Sequence, residues 1–194
     1  FLNPWRVPET VYLCGAGHVA QEVAELAGKS GFRVMVMDDR EKYANRERFP
    51  SVQSVVALKS FDSCFQGMSV NDDCYVIIAT RGHRFENTLV KQALKTRAGY
   101  IGLIGSLRKR NALFAELAME GFSNDDLLRV YCPTGMGILA ETPVEIAVSI
   151  VAQLVFIRAR KNHARNKATT LRVATSCRQM PHSEAEKEDF RAIS

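Results

Sequence analysis

A short apolar run, Val11-Tyr12-Leu13-Cys14, passes straight into Gly15-Ala16-Gly17-His18-Val19-Ala20, and this junction limits the possible folds more than any other stretch. A strand feeding G-x-G-x-x-A turns sharply into a helix whose first free N–H groups face an anion. Gly15 permits the tight turn, Gly17 lets the backbone approach a pyrophosphate, and Ala20 lets the helix pack closely on the strand. Val19, Ala20, Val23, Ala24 and Ala27 then share one helical face, and Gly31 stands where a left-handed cap residue belongs. A second apolar run, Arg33–Met37, leads into Asp38, which lies 21 residues beyond Gly17, where the fingerprint places an acid that binds a ribose hydroxyl. Strand, glycines, helix, strand and acid thus occur in the order a dinucleotide-binding fold requires.

The rest of the chain repeats the alternation. Residues 39–50 are polar, close at Pro50 and read as a functional loop or short helix. Ser54–Ala57 is a short third strand, and Cys74–Ala79 is apolar enough for a strand buried on both faces. A helix with Leu89, Val90, Ala93 and Leu94 inward follows, then a fifth strand, Tyr100–Ile104. The next helix starts after Ser106, a plausible N-cap, and ends near Gly121. Arg129–Cys132 is the sixth strand, and Pro133–Gly137 a glycine-rich loop. Thr142-Pro143-Val144-Glu145 is a capping box with proline at the first helical position. The expected fold is α/β, a doubly wound, mainly parallel six-stranded Rossmann-like sheet with helices on both faces, over residues 1–160. The last helix is apolar on most sides, through Ile146, Ala147, Val148, Ile150, Val151, Leu154, Val155 and Ile157, which calls for deep burial or a second subunit; a homodimer is expected. Residues 161–194 read as a polar, mobile tail, with a helical extension or swapped arm as the alternative. The first ten residues, with Pro4 and Pro8, read as an extended lead-in.

Charge and cysteine usage remove several functions. The net charge of +5 is concentrated in residues 161–194, with seven Lys/Arg against four Asp/Glu, leaving 19 against 17 elsewhere. The folded part therefore lacks the concentrated basic face that nucleic acid requires. Cysteines 14, 64, 74, 132 and 177 have no paired spacing, no apolar run reaches membrane-span length, and no signal-peptide layout is present, so a cytoplasmic protein without disulfides is expected.

Candidate binding residues gather at strand ends. Asp38 and Asp39 favour an unphosphorylated ribose, hence NAD over NADP, and Arg40 weakens that preference. Thr80, Arg81, His83 and Arg84 form a cationic, hydrogen-bonding cluster at the expected topological switch point, suited to a phosphate or pterin ring; a solvated loop is the plain alternative. His83 is able to act as acid or base near neutral pH. Gly105 and Ser106, followed by Arg108 and Lys109, offer helix N–H groups and cations to an anion, or else a solvated helix face. His18 reads as a surface residue, and no His/Cys cluster has metal-site spacing. Glu141 and Glu145 read as capping residues near the Gly135 loop, and no catalytic set can be assigned.

As an ordered set, Gly15–Ala20, Asp38-Asp39-Arg40, Asn45–Pro50, Thr80-Arg81-Gly82-His83, Gly102–Ser106 with Lys109, and Glu141–Ala147 resemble the C-terminal Rossmann domain of the xanthine dehydrogenase accessory family, XdhC/CoxI type. The likeness extends from residue 1 to about residue 157. It implies an accessory protein, not itself a dehydrogenase, that helps molybdenum hydroxylases mature by binding molybdenum cofactor (molybdopterin) and delivering it to the apoenzyme. On that resemblance the cofactor or an NAD(P) nucleotide would lie against Gly15, Gly17, His18, Val19, Asp38, Asp39, Arg40, Thr80, Arg81, His83, Gly105, Ser106, Lys109 and Gly135. Family members carry an additional upstream domain with a cysteine implicated in cofactor handling, to which no segment here corresponds, so a chain starting at Phe1 reads as a fragment or truncated relative. An NAD-dependent oxidoreductase and a nucleotide-sensing regulatory module are the competing readings. The first ordinarily needs a substrate domain, for which no residues remain.

Overall fold

The computed structural model describes residues 8–178; most of the expected lead-in and residues 179–194 lie outside the described residues, as do the side chains of Arg84 and of residues 168–178, Cys177 among them. Chain order is β1 (Thr10–Cys14), α1 (His18–Lys29), β2 (Arg33–Asp38), β3 (Ser54–Ala57), β4 (Cys74–Ile78), α2 (His83–Leu94), β5 (Tyr100–Leu103), α3 (Leu107–Met119), α4 (Asn124–Leu128), β6 (Val130–Tyr131) and α5 (Pro143–Arg178). Among the described residues one six-stranded sheet forms, in the order β3-β2-β1-β4-β5-β6, and every pairing is parallel. The strand order reverses between β1 and β4, where Thr10 pairs with Cys74 and Cys14 with Ile78. In doubly wound sheets such a reversal is where a ligand crevice forms, at the carboxyl ends of the two strands.

The central strands are as apolar as their position demands. Val11, Leu13, Val76, Ile77 and Ile78 are fully buried, as befits strands covered on both faces. Helix α1 ends as its sequence suggests: Gly31, at φ +84°, donates to Gly28 O, and Phe32 N–H reaches Ala27 O, closing a Schellman motif. Gly121, at φ +92°, ends α3 in the same way, with Phe122 N–H on Leu117 O. The Ser106 hydroxyl accepts from Lys109 N–H at the start of α3. At the start of α5, the Glu145 carboxylate accepts from the N–H groups of Glu141 and Thr142.

Two elements, α4 and β6, differ from the sequence reading, and in the β2–β3 crossover the loop alternative holds over the short helix. The β2–β3 crossover contains turns and no helix, braced by Arg46, whose guanidinium donates to Val52 O and Gln53 O. Helix α4, only five residues long, has no counterpart in the sequence reading; it is too short to show periodicity and rests on a Ser123/Asp126 capping box. It leaves β6 only two residues, because Arg129 caps α4 and sends its guanidinium to Leu94 O and Thr96 O at the end of α2.

The chain divides into two compact units, Phe1–Val155 and Phe156–Ser194. In the first, α5 buries Ala147, Ile150, Val151 and Leu154 and leaves Val144, Val148 and Val155 exposed, so it is not buried on most sides. In the second, helical backbone runs on to Arg178, which is the helical extension that stood as the alternative to a polar tail from residue 161. The physical reason is local. No glycine or proline interrupts residues 144–178, and Ala, Arg, Lys and Leu keep the i→i−4 ladder without needing a buried face. None of the helices in the described residues is long and apolar enough to cross a membrane.

Candidate functional site

The glycine turn is held between the two strands that flank β1. Gly15, at φ +112°, donates its N–H to Met37 O, and a Cβ there would collide with Ala79 O. Only glycine fits, for both conformational and steric reasons. At Gly17 a Cβ would meet nothing within 4 Å, so the space over the turn is open. Helix α1 starts there with no side-chain cap, His18 exposed and Val19 half-buried.

Asp38 ends β2 with its carboxylate turned inward. Its Oδ2 accepts from Ala16 N–H at 2.8 Å and Arg40 Nη2 at 2.9 Å, and its Oδ1 from Arg40 N–H at 3.0 Å and Arg40 Nε at 2.8 Å. Burial opposes ionisation, but the Arg40 guanidinium and the Ala16 and Arg40 N–H groups outweigh it and hold the carboxyl below its usual range. Arg40 stacks on Tyr43, its guanidinium carbon 3.9 Å from the ring centroid. Arg48 approaches the same ring at 5.0 Å and donates to Ala16 O and Gln21 Oε1. Asp39 faces across the crevice, 3.6 Å from Nη2 of Arg81.

On the β4 side, Thr80 Oγ1 is buried without a hydrogen-bond partner among the described residues. Arg81 is 59% exposed, and His83 Nε2 lies 3.9 Å from Glu116 Oε1 of α3. Next to these, Lys109 Nζ reaches Glu86 Oε1 at 3.2 Å; Glu86 is almost wholly buried while Lys109 is half exposed. Gly105 sits below them, where a Cβ would contact Cys132 Sγ and Lys109 Cδ at ordinary distances. Burial pushes the Cys132 thiol up, which makes it a packing residue and not a ready nucleophile.

The structure thus brings Gly15, Gly17, His18, Val19, Asp38, Asp39, Arg40, Thr80 and Arg81 around one crevice, with His83, Gly105, Ser106 and Lys109 at the neighbouring β4 and β5 ends. Gly135 stands apart. Its N–H donates to Gln153 Oε1, and a Cβ there, at φ +103°, would collide with Ser149 Oγ. It belongs to a latch in which Thr134, the buried Tyr100 hydroxyl and Gln153 tie β5 to α5. Sequence reasoning missed Glu86, Tyr43 and Arg48. Glu86 was legible only as an acid in the first turn of a helix; Tyr43 and Arg48 lay unseparated in the polar loop. A groove of about 820 Å³ between α1 and residues 48–53 contains none of the glycine-turn or β4-end residues.

A six-stranded parallel sheet of this order, with a glycine turn and cations at its reversal point, defines a doubly wound Rossmann-like domain. The chain belongs to the XdhC Rossmann domain family, whose profile matches residues 11–154. It is 31% identical over 160 residues to YqeB, an uncharacterized Escherichia coli K12 protein, covering 81% of this chain and 29% of YqeB. Over 148 residues it is 29% identical to a Bacillus subtilis protein described as a probable xanthine dehydrogenase component, covering 76% of this chain and 42% of that one. A solved Bacillus halodurans structure described as a xanthine dehydrogenase superimposes with a TM-score of 0.69 at 27% identity, covering 79% of this chain and 43% of that one. The chain therefore spans less than half the length of each of these relatives.

Proposed function

We propose that this domain is the ligand-holding part of an accessory protein that serves the maturation of xanthine dehydrogenase-type molybdenum hydroxylases, and that its crevice holds a phosphate-bearing cofactor, molybdopterin or an NAD(P) nucleotide, for delivery to the apoenzyme. The observation that carries this reading is Thr80 Oγ1, buried without a partner among the described residues, beside the exposed Arg81 and close to the open space over Gly17. A buried hydroxyl without a partner is costly unless a ligand supplies one. Arg81 and Lys109 would contribute charge-assisted hydrogen bonds to a phosphate, and the uncapped start of α1 would add backbone donors. These residues fit an anionic pterin phosphate. The molybdenum centre, when bound, supplies the redox chemistry of the recipient enzyme; this chain binds, orients and releases.

The test is capture of molybdopterin, followed by activation of an apo molybdenum hydroxylase. Arg81→Ala should weaken capture by about 1–3 kcal/mol without unfolding the sheet. Robust NADH production from a small substrate, with no effect on activation, would transfer the assignment to an oxidoreductase. A cytoplasmic setting and a homodimer are part of the same proposal. The exposed Val144, Val148, Ile138 and Leu139 supply apolar surface for self-association. A monomer in sedimentation velocity across the micromolar range would remove the dimer.

A further inference from the structure

The buried end of β2 bears on which nucleotide the crevice accepts. An acid at this position reads ribose hydroxyls only if its carboxylate has a free acceptor site facing the ligand. Asp38 has none: it is 1% exposed, and four donors from Ala16 and Arg40 occupy its two oxygens. It works as a strut between the glycine turn and the loop after β2.

The rim offers cationic donors in place of that acceptor. Arg40 spends Nε and Nη2 on Asp38 and lies flat on Tyr43, while its Nη1 carries no hydrogen bond among the described residues. Its orientation is thus set by two partners, with one donor edge left over. Arg48 shares the Tyr43 ring and is tied to the glycine turn through Ala16 O, and Lys42 Nζ lies 5.2 Å from that ring. Asp39, the other carboxylate at the rim, is offset by Arg40 Nε at 3.8 Å and Arg81 Nη2 at 3.6 Å. A free 2′-hydroxyl would find the fingerprint acceptor, Asp38, already filled, and the one rim carboxylate left, Asp39, set between two guanidinium groups. A 2′-phosphate would find a positioned guanidinium with one donor edge unused among the described residues.

We propose that the crevice selects a nucleotide carrying a 2′-phosphate monoester over one with a free 2′-hydroxyl, and that Arg40 is the residue that reads the phosphate. This reverses the preference for NAD that the Asp38-Asp39 pair suggests in the sequence. It rests on the reading above that the crevice takes a phosphate-bearing ligand.

Calorimetric titration of the whole chain with 2′,5′-ADP and with 5′-ADP tests it. The wild type should bind 2′,5′-ADP about tenfold more tightly, the size of one charge-assisted contact. Arg81→Ala should weaken both probes and keep most of the ratio, whereas Arg40→Gln should bring the ratio close to one. Removing Arg40 strips Asp38 of its partner, so circular dichroism must accompany that variant, and the wild-type ratio stands as a test independent of it. A wild-type ratio of one, or a preference for 5′-ADP, overturns the inference while leaving a phosphate-binding crevice in place. Binding of neither probe at millimolar concentration overturns the inference too, and molybdopterin capture then decides separately whether the crevice reading survives.

Discussion

Asp38 and Glu86 are both buried carboxylates near the carboxyl end of the sheet, but they are supported in opposite ways. Asp38 receives four hydrogen bonds, two of them from backbone N–H groups, and its partner Arg40 is itself mostly buried. Glu86 is paired with Lys109, whose side chain is half in water. The first arrangement fixes backbone: it holds the glycine turn against the loop after β2. The second holds a side chain, keeping one ammonium above Gly105 at the start of α3. A buried charge with several rigid donors is a structural element, whereas one with a single mobile partner serves mainly to place that partner.

The largest expected effect is at Asp38. Asp38→Ala leaves the Arg40 guanidinium and Ala16 N–H without their acceptor and should cost about 3–5 kcal/mol in urea denaturation, enough to unfold a marginal domain. The contribution also has a pH signature. Because the folded carboxyl titrates below its unfolded value of about 3.9, its stabilisation is complete above that pH and is lost as the pH falls through the folded value. Asp38→Asn should therefore show a shallower acid limb than the wild type. Equal acid limbs would mean that Asp38 is no strut.

A smaller, asymmetric effect is expected at the second pair. Lys109→Met leaves Glu86 buried and unpaired and should cost about 2 kcal/mol, whereas Glu86→Gln leaves an ammonium that water can solvate and should cost less than about 1 kcal/mol. If the two variants proved equally destabilising in chemical denaturation, Glu86 and Lys109 would be a structural pair like Asp38 and Arg40, and the contrast between the two sides of the crevice would fail.

Much of the fold was legible because the relevant information is local. The continuous apolar runs at Val11–Cys14 and Cys74–Ile78 can only be central parallel strands, and Gly31 marks the end of α1 through its own backbone conformation. Ser106 and the Thr142–Glu145 box announced helix starts because each cap bonds within three residues of itself. The candidate site was legible only as a set of residue types at strand ends. Which acid was free to meet a ligand was not.

Local pattern was thus sufficient, in the sequence alone, for the order of the six strands and of the helices other than α4, for the glycine turn and for its place at a sheet reversal. Tertiary structure alone decided that Asp38 turns inward to brace Ala16 of the glycine turn across 22 residues, that Glu86 meets Lys109 across 23 residues, and that Gly135 is a packing glycine set by Ser149. The reason is physical. Periodicity, capping and the pairing of Asp38 with Arg40 depend on neighbours along the chain, whereas the glycine turn that Asp38 braces and the partner that Glu86 finds depend on which other strand ends and helices arrive beside them.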